Sequence, residues 1–293
     1  MVSVFDLFKI GVGPSSSHTA GPMVAAGRCR AGLPPAARRV TAELFGSLAW
    51  TGKGHGSDQA VCLGLMGAEP ATLDLDEAPR IVARLAQEKS FLSEAGELVA
   101  FDPETDLVFD YRTLMPMHSN AMRFRAFDAS GACLSEQVFY SIGGGFVVAE
   151  GEEREAAPKD GAYPFTSGAE LLALCARETC SIADIQMRNE CALAPRDEVE
   201  KGLDAIIETM FACIDRGLKA EGALPGRLRV RRRARSIFEK LKADRRNNDR
   251  APHEIMDWVS VYAIAVNEEN AAGGRVVTAP TNGAAGILPA VLR

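Results

Sequence analysis

Hydrophobic and polar positions alternate with a period of two in the first half of the chain. In RRVTAELFGSLA, Val40, Ala42 and Leu44 alternate with polar neighbours, which predicts a half-buried strand. Further on, AMRFRAF and CLSEQVFYSI flank DASGA, which predicts a β-hairpin with glycine in its turn. Between these strands, GSDQAVCLGLMG predicts a short helix with Ser57 as its N-cap and Gly67 as its stop.

The period changes to that of a helix from Thr166 onward. Ser167 with Glu170 has capping-box spacing before LLALCARE. Ser181 and Asp184 start a second helical segment, IADIQMRNE. A further helix is predicted from about His253 to Asn270. The clearest helix is predicted over 196–220, where one stripe contains Val199, Leu203, Ile206, Ile207, Met210, Phe211, Ile214 and Leu218.

These patterns predict an α+β protein built from two unlike halves. We expect residues 1–149 to form an α/β domain with a small mixed or antiparallel sheet, and residues 165–293 to form an all-helical domain. The acidic segment 150–164 contains proline and glycine and is the predicted linker. TNGAAGILPAVLR begins a helix without a stop signal, so we expect the helical domain to be truncated in this sequence.

Composition and charge argue against several classes of protein. Of 293 residues, 47% are hydrophobic and 25% are charged, which is typical of folded globular proteins rather than disordered ones. The net charge of −6 argues against general nucleic-acid or membrane-surface binding. No apolar stretch reaches the roughly 18 residues of a membrane span, and MVSVFDLFKIGVGP lacks a secretory pattern. We therefore expect a cytoplasmic protein without a membrane partner.

One basic segment runs against this overall charge. RLRVRRRARSIFEKLKADRRNNDR carries eleven Lys and Arg residues against three acids, so nucleic-acid binding is one interpretation. The interleaved apolar residues Leu228, Val230, Ile237 and Leu241 favour the other, a solvated helix face.

The cysteines give no sign of disulfides or of a metal site. Seven cysteines are scattered along the chain without a C-x-x-C pair, which is typical of free thiols in a reducing compartment.

The candidate catalytic and binding residues lie in short polar loops. His18, His55 and His118 lie in polar or glycine-flanked sequence, and imidazole exchanges protons near neutral pH. PSSSHTAGPMVAAGR combines hydroxyl groups with a helix start, a combination suited to an anion such as a carboxylate, although an N-cap alone would also explain it. TAPTNGAAGILPAV, with Thr278, and YSIGGGF are similar loops, so a small carboxylate substrate is indicated.

Several motifs together resemble the single-chain iron–sulfur-dependent L-serine dehydratases. They are SVFDLFKIGVGPSSSHTAGPM, GSLAWTGKGHGSDQAVCLGLMG, MHSNAMRF, FYSIGGGF, NE and TAPTNGAAGILPAVL. The resemblance covers the chain from Val4 to its last residue. It implies an L-serine ammonia-lyase that forms pyruvate and ammonia with a 4Fe-4S cluster, and it implies a homodimer.

The resemblance also implies roles for individual residues. His55 matches the family's essential loop histidine and would be the general base, while His118, also catalytic, and Asn120 would position substrate or move protons. The implied substrate-binding residues, which would form a site between the two halves, are Ser16, Ser17, His18, Thr19, Asn120, Ser141, Gly143, Thr281 and Asn282. None of the seven cysteines matches a cluster ligand, so no metal site is predicted in this chain and its activity alone is in question.

Two alternatives compete with this interpretation. A pyridoxal phosphate enzyme would need a Schiff-base lysine, for which Lys53 in TGKGHG is the one suggestive candidate. A non-catalytic L-serine-binding or regulatory module, or an inactive fragment of the enzyme, would need no cluster at all.

Overall fold

The computed structural model describes residues 2–152, 161–226, 228–244 and 254–293. Most of the predicted linker 150–164, the predicted helix start at His253, and residues 227 and 245–250 of the basic segment lie outside the described residues. The predicted α+β class is confirmed, with a sheet in the first half and helices dominating the second.

Nine strands form two sheets in the described part of the chain. The larger sheet has seven strands in the order β3-β4-β2-β6-β7-β8, with β5 also paired to β2. The smaller sheet pairs β1 with β9. The strands are β1 (Ile10–Val12), β2 (Arg39–Phe45), β3 (Ser90–Leu92), β4 (Leu98–Ala100), β5 (Leu107–Asp110), β6 (Asn120–Phe127), β7 (Cys133–Gly143), β8 (Phe146–Ala149) and β9 (Arg275–Val277).

The larger sheet is mixed, and β2 is its centre. This strand runs antiparallel to β6 along its whole length and parallel to β5 from Ala42 to Phe45. Val40, Ala42 and Leu44 are fully buried, so the predicted alternation is confirmed. The predicted hairpin is also present, because β6 pairs with β7 antiparallel on either side of the 128–132 turn.

Eleven helices are described. Three short helical turns supplement them, Ser16–Ala20, Gly52–His55 and Asn282–Ala284. The helices are α1 (Val4–Leu7), α2 (Gly21–Ala31), α3 (Gly46–Thr51), α4 (Ser57–Leu65), α5 (Ala78–Glu88), α6 (Gly168–Glu178), α7 (Ile182–Cys191), α8 (Arg196–Gly217), α9 (Ala234–Asp244), α10 (Glu254–Ala271) and α11 (Ile287–Leu292).

The main core lies between the sheet and helices α2 and α4. Apolar side chains from both helices and from β2, β6 and β7 bury one another, among them Leu65, Met122 and Phe124. The two helices approach closely at Gly64, where an added Cβ would lie 2.2 Å from the Met23 carbonyl oxygen. The same packing fixes the start of α2, which directly follows the histidine-containing turn Ser16–Ala20.

Capping explains several helix ends and corrects one prediction. A helix begins after Ser181 as predicted, and the structure adds a complete capping box between Ser181 and Asp184. Ser167 accepts the Glu170 N–H as predicted, but the Glu170 carboxylate accepts from Thr166 instead of closing the box. Ser57 is the first residue of α4 and not its N-cap, because Gly56 in the left-handed region (φ 65°) occupies that position. Its hydroxyl is therefore available for a tertiary contact.

Buried carboxylates organise the helical region around α8, α9 and α10. The Glu268 carboxylate accepts the backbone N–H groups of Arg233 (2.8 Å) and Ala234 (3.4 Å) at the start of α9. Glu269 forms ion pairs with Arg216 and Arg232. Part of the basic segment is thus used to hold the helices together, which supports a structural role for it.

The two halves are joined by a strand pair that the sequence did not reveal. Strand β1 runs antiparallel to β9, with Ile10 opposite Val277. The second half was expected to be all-helical, and this three-residue strand is the exception. Val276 and Val277 are buried, and a run this short has no period to detect. The pairing brings the start of the chain against the loop that contains Thr281 and Asn282.

Candidate functional site

The turn Ser16–Ala20 is closed by its own hydroxyl groups. The Ser15 Oγ accepts the His18 backbone N–H at 3.2 Å, and the Ser15 N–H donates to Thr19 Oγ1 at 3.3 Å. Ser16 is buried. Part of the hydroxyl cluster therefore caps the turn that leads into α2, as the simpler interpretation of the sequence expected, and this capping fixes the position of His18.

His18 is held at both ring nitrogens. Ser17 Oγ lies 2.8 Å from Nδ1, and Ser47 Oγ lies 2.9 Å from Nε2. Burial, followed by the neighbouring charge of His55, lowers the pKa of His18; the Ser47 hydrogen bond opposes this shift and His118 adds to it. Ser47 stands at the start of α3, directly after β2, and sequence reasoning missed it because no local motif links it to His18.

Two reciprocal hydrogen bonds tie the His18 turn to the His55 turn. Thr19 Oγ1 donates to the His55 carbonyl at 2.8 Å, and Ser57 Oγ donates to the His18 carbonyl. The two imidazole rings consequently lie 4.9 Å apart between centroids, inclined by 41°. Ser57, which is fully buried, is a second site residue that was overlooked, because the sequence suggested a capping role for it.

The backbone also orients the other two histidine rings. His55 Nδ1 lies 2.9 Å from the Thr51 carbonyl oxygen. His118 Nδ1 accepts the backbone N–H of Asn120 at 3.0 Å. These contacts occur at the end of α3 and at the start of β6, so elements of the sheet domain set both rings.

Asn120 and Ser141 are buried rather than open to solvent. The Asn120 side-chain amide donates to the Ser141 carbonyl at 3.1 Å, which joins β6 to β7. Ser141 Oγ has no hydrogen-bond partner among the described residues. It lies against Gly21, where an added Cβ would come within 2.0 Å of it. Ser141 therefore packs against the start of α2, and Asn120 holds Ser141 in place through this hydrogen bond.

The helical region contributes the loop that follows β9. Thr278 is buried, and its hydroxyl accepts the Lys9 N–H at 3.2 Å. Asn282 donates from Nδ2 to Asn270 Oδ1 (2.9 Å) and to the Val12 carbonyl (3.3 Å), while its own Oδ1 has no partner among the described residues. Thr281 is exposed. The loop is thereby fastened to β1, just ahead of the His18 turn.

The glycine loop between β7 and β8 closes the same region. Gly143, Gly144 and Gly145 all have positive φ, which glycine adopts without steric cost. A Cβ on Gly144 would lie 3.7 Å from the Pro280 carbonyl oxygen, so this loop contacts the loop of the helical region. The structure thus brings the His18, His55 and glycine loops of the first half alongside the 278–284 loop of the second.

Lys53 is exposed, and its Nζ lies 5.3 Å from the centre of the Phe109 ring. An exposed lysine over an aromatic ring gives no indication of a Schiff-base site. A surface depression of about 390 Å³ is lined by Arg28, Glu136, Glu150 and neighbouring residues on another part of the sheet. None of its lining residues belongs to the histidine cluster, by which we mean His18, His55 and His118. We place the candidate site at this cluster because its imidazole groups can transfer protons.

The donor set of the described residues does not fit an iron–sulfur cluster. Burial raises the pKa of the Cys29, Cys62 and Cys213 thiols to about 12, so these thiols are protonated at neutral pH. Cluster ligands are thiolates. Within the described ranges no three His, Cys, Asp or Glu side chains are grouped so that they could hold a metal ion.

Nor does any helix in the described part of the chain have the length and apolar character needed to cross a membrane.

Comparisons with known proteins agree with the motifs. Residues 3–152 match the family model of the serine dehydratase beta chain, and residues 177–293 match that of the serine dehydratase alpha chain. The chain is 44% identical over 301 residues to L-serine dehydratase 1 of Escherichia coli, covering 100% of this chain and 65% of that protein. It is 46% identical over 303 residues to an L-serine dehydratase of Streptomyces coelicolor, covering 99% of this chain and 65% of the relative.

A third relative, an L-serine dehydratase of Helicobacter pylori, is 41% identical over 298 residues, again covering 99% of this chain and 65% of its own length. The chain therefore spans about two thirds of the length of these relatives. Because both family models match in order and together extend over most of the sequence, this chain belongs to the serine dehydratase family.

Proposed function

We propose that this protein acts as an L-serine ammonia-lyase, removing water from L-serine to form pyruvate and ammonia. The names of its relatives support the substrate and the reaction. The observation that carries the proposal is the state of His55. Its Nδ1 faces the Thr51 carbonyl, which can only accept a hydrogen bond, so the neutral ring carries its proton on Nδ1. Nε2 then retains a lone pair.

A free imidazole lone pair suits the first step of this reaction. The Cα proton of an amino acid is weakly acidic, and a positioned base contributes roughly 100- to 10,000-fold to its removal. The Nδ1–H···O=C bond also stabilises the imidazolium that forms when Nε2 takes the proton. His18 is packed beside His55, and burial together with the neighbouring charge of His55 lowers the pKa of His18.

In this proposal the polar loops bind the substrate carboxylate. Ser16, Ser17, His18 and Thr19 form the turn ahead of α2, with Ser141 and Gly143 beside it, and donors placed near the carboxylate favour the charge that develops on the adjacent carbon. Thr281 and Asn282 would approach from the other half. In this proposal, L-serine binds between domains 1–149 and 165–293, where interdomain clefts commonly bind small molecules.

From the family resemblance we also propose a 4Fe-4S cluster, a homodimer and a cytoplasmic location. Such a cluster would assist the departure of the hydroxyl group. The described residues do not fit such a cluster, and no residue of this chain is proposed to hold it.

The same mismatch favours a second candidate, a module that binds L-serine without converting it. Pyruvate release and calorimetry separate the two. If the protein is a lyase, anaerobic reconstitution with iron and sulfide should yield pyruvate formation from L-serine, and His55→Gln should abolish it. Binding of L-serine without iron uptake or pyruvate would support the binding module, and neither binding nor turnover would refute both.

A further inference from the structure

We propose that His118 is the proton donor to the departing hydroxyl group, acting in complement to the base His55. The inference rests on the proposed function and assigns its second proton transfer to a residue whose role the family resemblance left open. The backbone groups that contact His55 and His118 fix the two rings in opposite tautomers.

The tautomer of His118 follows from its contact with Asn120. A backbone N–H can only donate, so the His118 Nδ1 that receives it at 3.0 Å carries a lone pair. The neutral ring must then carry its proton on Nε2. At His55 the partner is a carbonyl, and the proton is on Nδ1 instead. One ring thus offers a lone pair at Nε2 and the other offers an N–H.

The donor to His118 is rigidly held. Asn120 begins β6, is buried, and is fixed from its side chain by the hydrogen bond to the Ser141 carbonyl. Gly46 forms an isolated bridge with Asn120 across the strand ends. The Asn120 N–H therefore cannot easily turn away, and the polarity of His118 does not depend on a mobile side chain.

His118 is also tied to the other histidines through Ser47. The Ser47 backbone N–H donates to the Ser119 carbonyl at 2.9 Å, and the Ser47 hydroxyl contacts His18 Nε2. Gly46, with φ 53°, is needed here because an added Cβ would lie 2.3 Å from the Ser119 oxygen. His118 is half-buried, so part of its ring is open to solvent.

The reaction needs a base for the Cα proton and a proton for the leaving oxygen. His55 Nε2 takes the Cα proton and becomes imidazolium, the electron pair forms the Cα–Cβ double bond, and the Cβ–O bond breaks. The leaving oxygen takes the His118 Nε2 proton and departs as water, which leaves aminoacrylate and an imidazolate at His118, whose Nδ1 still accepts the stabilising Asn120 N–H. After tautomerisation to the imine, water hydrolyses it to pyruvate and ammonia, and exchange with solvent returns His55 and His118 to their starting states.

The tautomers can be tested without any turnover. In a long-range ¹H–¹⁵N correlation spectrum of the ¹⁵N-labelled protein at pH 8, we expect His118 protonated at Nε2 and His55 at Nδ1. The variants His118→Gln and His55→Gln assign the signals. Protonation of His118 at Nδ1, or the same tautomer in both rings, would overturn the inference.

The chemical role is tested by changing the leaving group. Chloride departs without a proton, so β-chloro-L-alanine needs the base but not the acid. We expect His118→Gln to lower kcat/KM for L-serine by about 100-fold or more, and that for β-chloro-L-alanine by less than about threefold. His55→Gln should lower both alike, and the exposed hairpin variant Ser130→Ala should change neither.

The outcomes separate this inference from the proposed function. If the wild-type protein converts both compounds and His118→Gln reduces them equally, the leaving group is activated without His118 and only the inference fails. If the wild type releases pyruvate from neither compound, the proposed function fails, and the assignment of a proton donor fails with it.

Discussion

The two sides of the candidate site differ in how their polar groups are held. On the sheet-domain side, His18 is bonded at both nitrogens, Thr19 is tied to the His55 carbonyl, and Ser57 is tied to the His18 carbonyl. On the helical side, Thr281 is exposed, whereas Asn282 is buried and its Oδ1 has no partner among the described residues. The histidine turns of the first side are preorganised for proton transfer, whereas on the second side the exposed Thr281 hydroxyl is open for a ligand to engage.

The strongest test of the preorganised side removes its base. In His55→Gln we expect the rate of pyruvate formation from L-serine to fall by roughly 100- to 10,000-fold, the range attributed to a positioned acid or base. The glutamine amide keeps the side chain polar while losing the basic nitrogen. Coupled pyruvate detection measures the change, and a residual rate within tenfold of wild type would contradict the assignment.

A matched pair of glycine variants compares the packing of the two sides. In Gly21→Ala the new Cβ would meet Ser141 Oγ at 2.0 Å, so we expect a loss of about 1–3 kcal/mol in the free energy of unfolding, as for other overpacked sites. Gly283→Ala, whose nearest neighbour would be Thr281 Oγ1 at 4.0 Å, should be tolerated. Urea denaturation measures both, and adding Ser141→Gly should restore much of the first loss.

Ser57 tests the hydrogen bonds that cross-link the two histidine turns. Ser57→Ala removes the hydroxyl that donates to the His18 carbonyl from a fully buried position. We expect a loss of about 1–2 kcal/mol in unfolding free energy together with a lower kcat, because His18 and His55 lose a mutual constraint. Unchanged stability and kcat would mean that packing alone fixes the two turns.

The pH dependence of stability tests the environment of His18. Its pKa is lowered in the folded protein, chiefly by burial, and the unfolded value is about 6.5. Below that pH the unfolded chain binds more protons than the native one, so stability should decrease as pH falls from about 6.5 toward the folded pKa. Thermal unfolding from pH 8 to pH 5 measures this, and His18→Asn should flatten the profile.

Thr281 tests the opposite side, where the smallest effect on stability is expected. Thr281→Ala removes an exposed hydroxyl without a partner in the described structure, so unfolding free energy should change by less than about 0.5 kcal/mol. The KM for L-serine should nevertheless rise severalfold if this loop contacts substrate. A marked loss of stability would show that the loop is structural, like the turn on the other side.

Local patterns were sufficient for most elements of the fold. The alternation around Val40 and the helix start at Ser181 each depend on neighbouring residues, and both predictions are confirmed. Helix α8 was extended three residues too far, because it ends at Gly217. Strand β9 escaped detection because its partner lies at the other end of the chain, so no local window contains the interaction.

The candidate site was predictable in its residue types but not in its connections. Histidines among glycines and hydroxyls indicated proton transfer, yet Ser47 and Ser57 acquire their contacts with His18 only through packing of β2 and α4 against α2. Ser57 also shows how a local rule misleads: a serine before an apolar run is typical of an N-cap, and here its hydroxyl serves a distant carbonyl. The tautomers of His55 and His118 likewise depend on which backbone group faces each ring.

The pairing of β1 with β9 has a consequence for biosynthesis. Strand β1 is translated about 265 residues ahead of its partner β9. At 5–20 residues per second this delay is roughly 15 to 50 s. During that interval the segment leading into the Ser16–Ala20 turn lacks its strand partner, so β1 is expected to be fixed in place only after the helical half has been made.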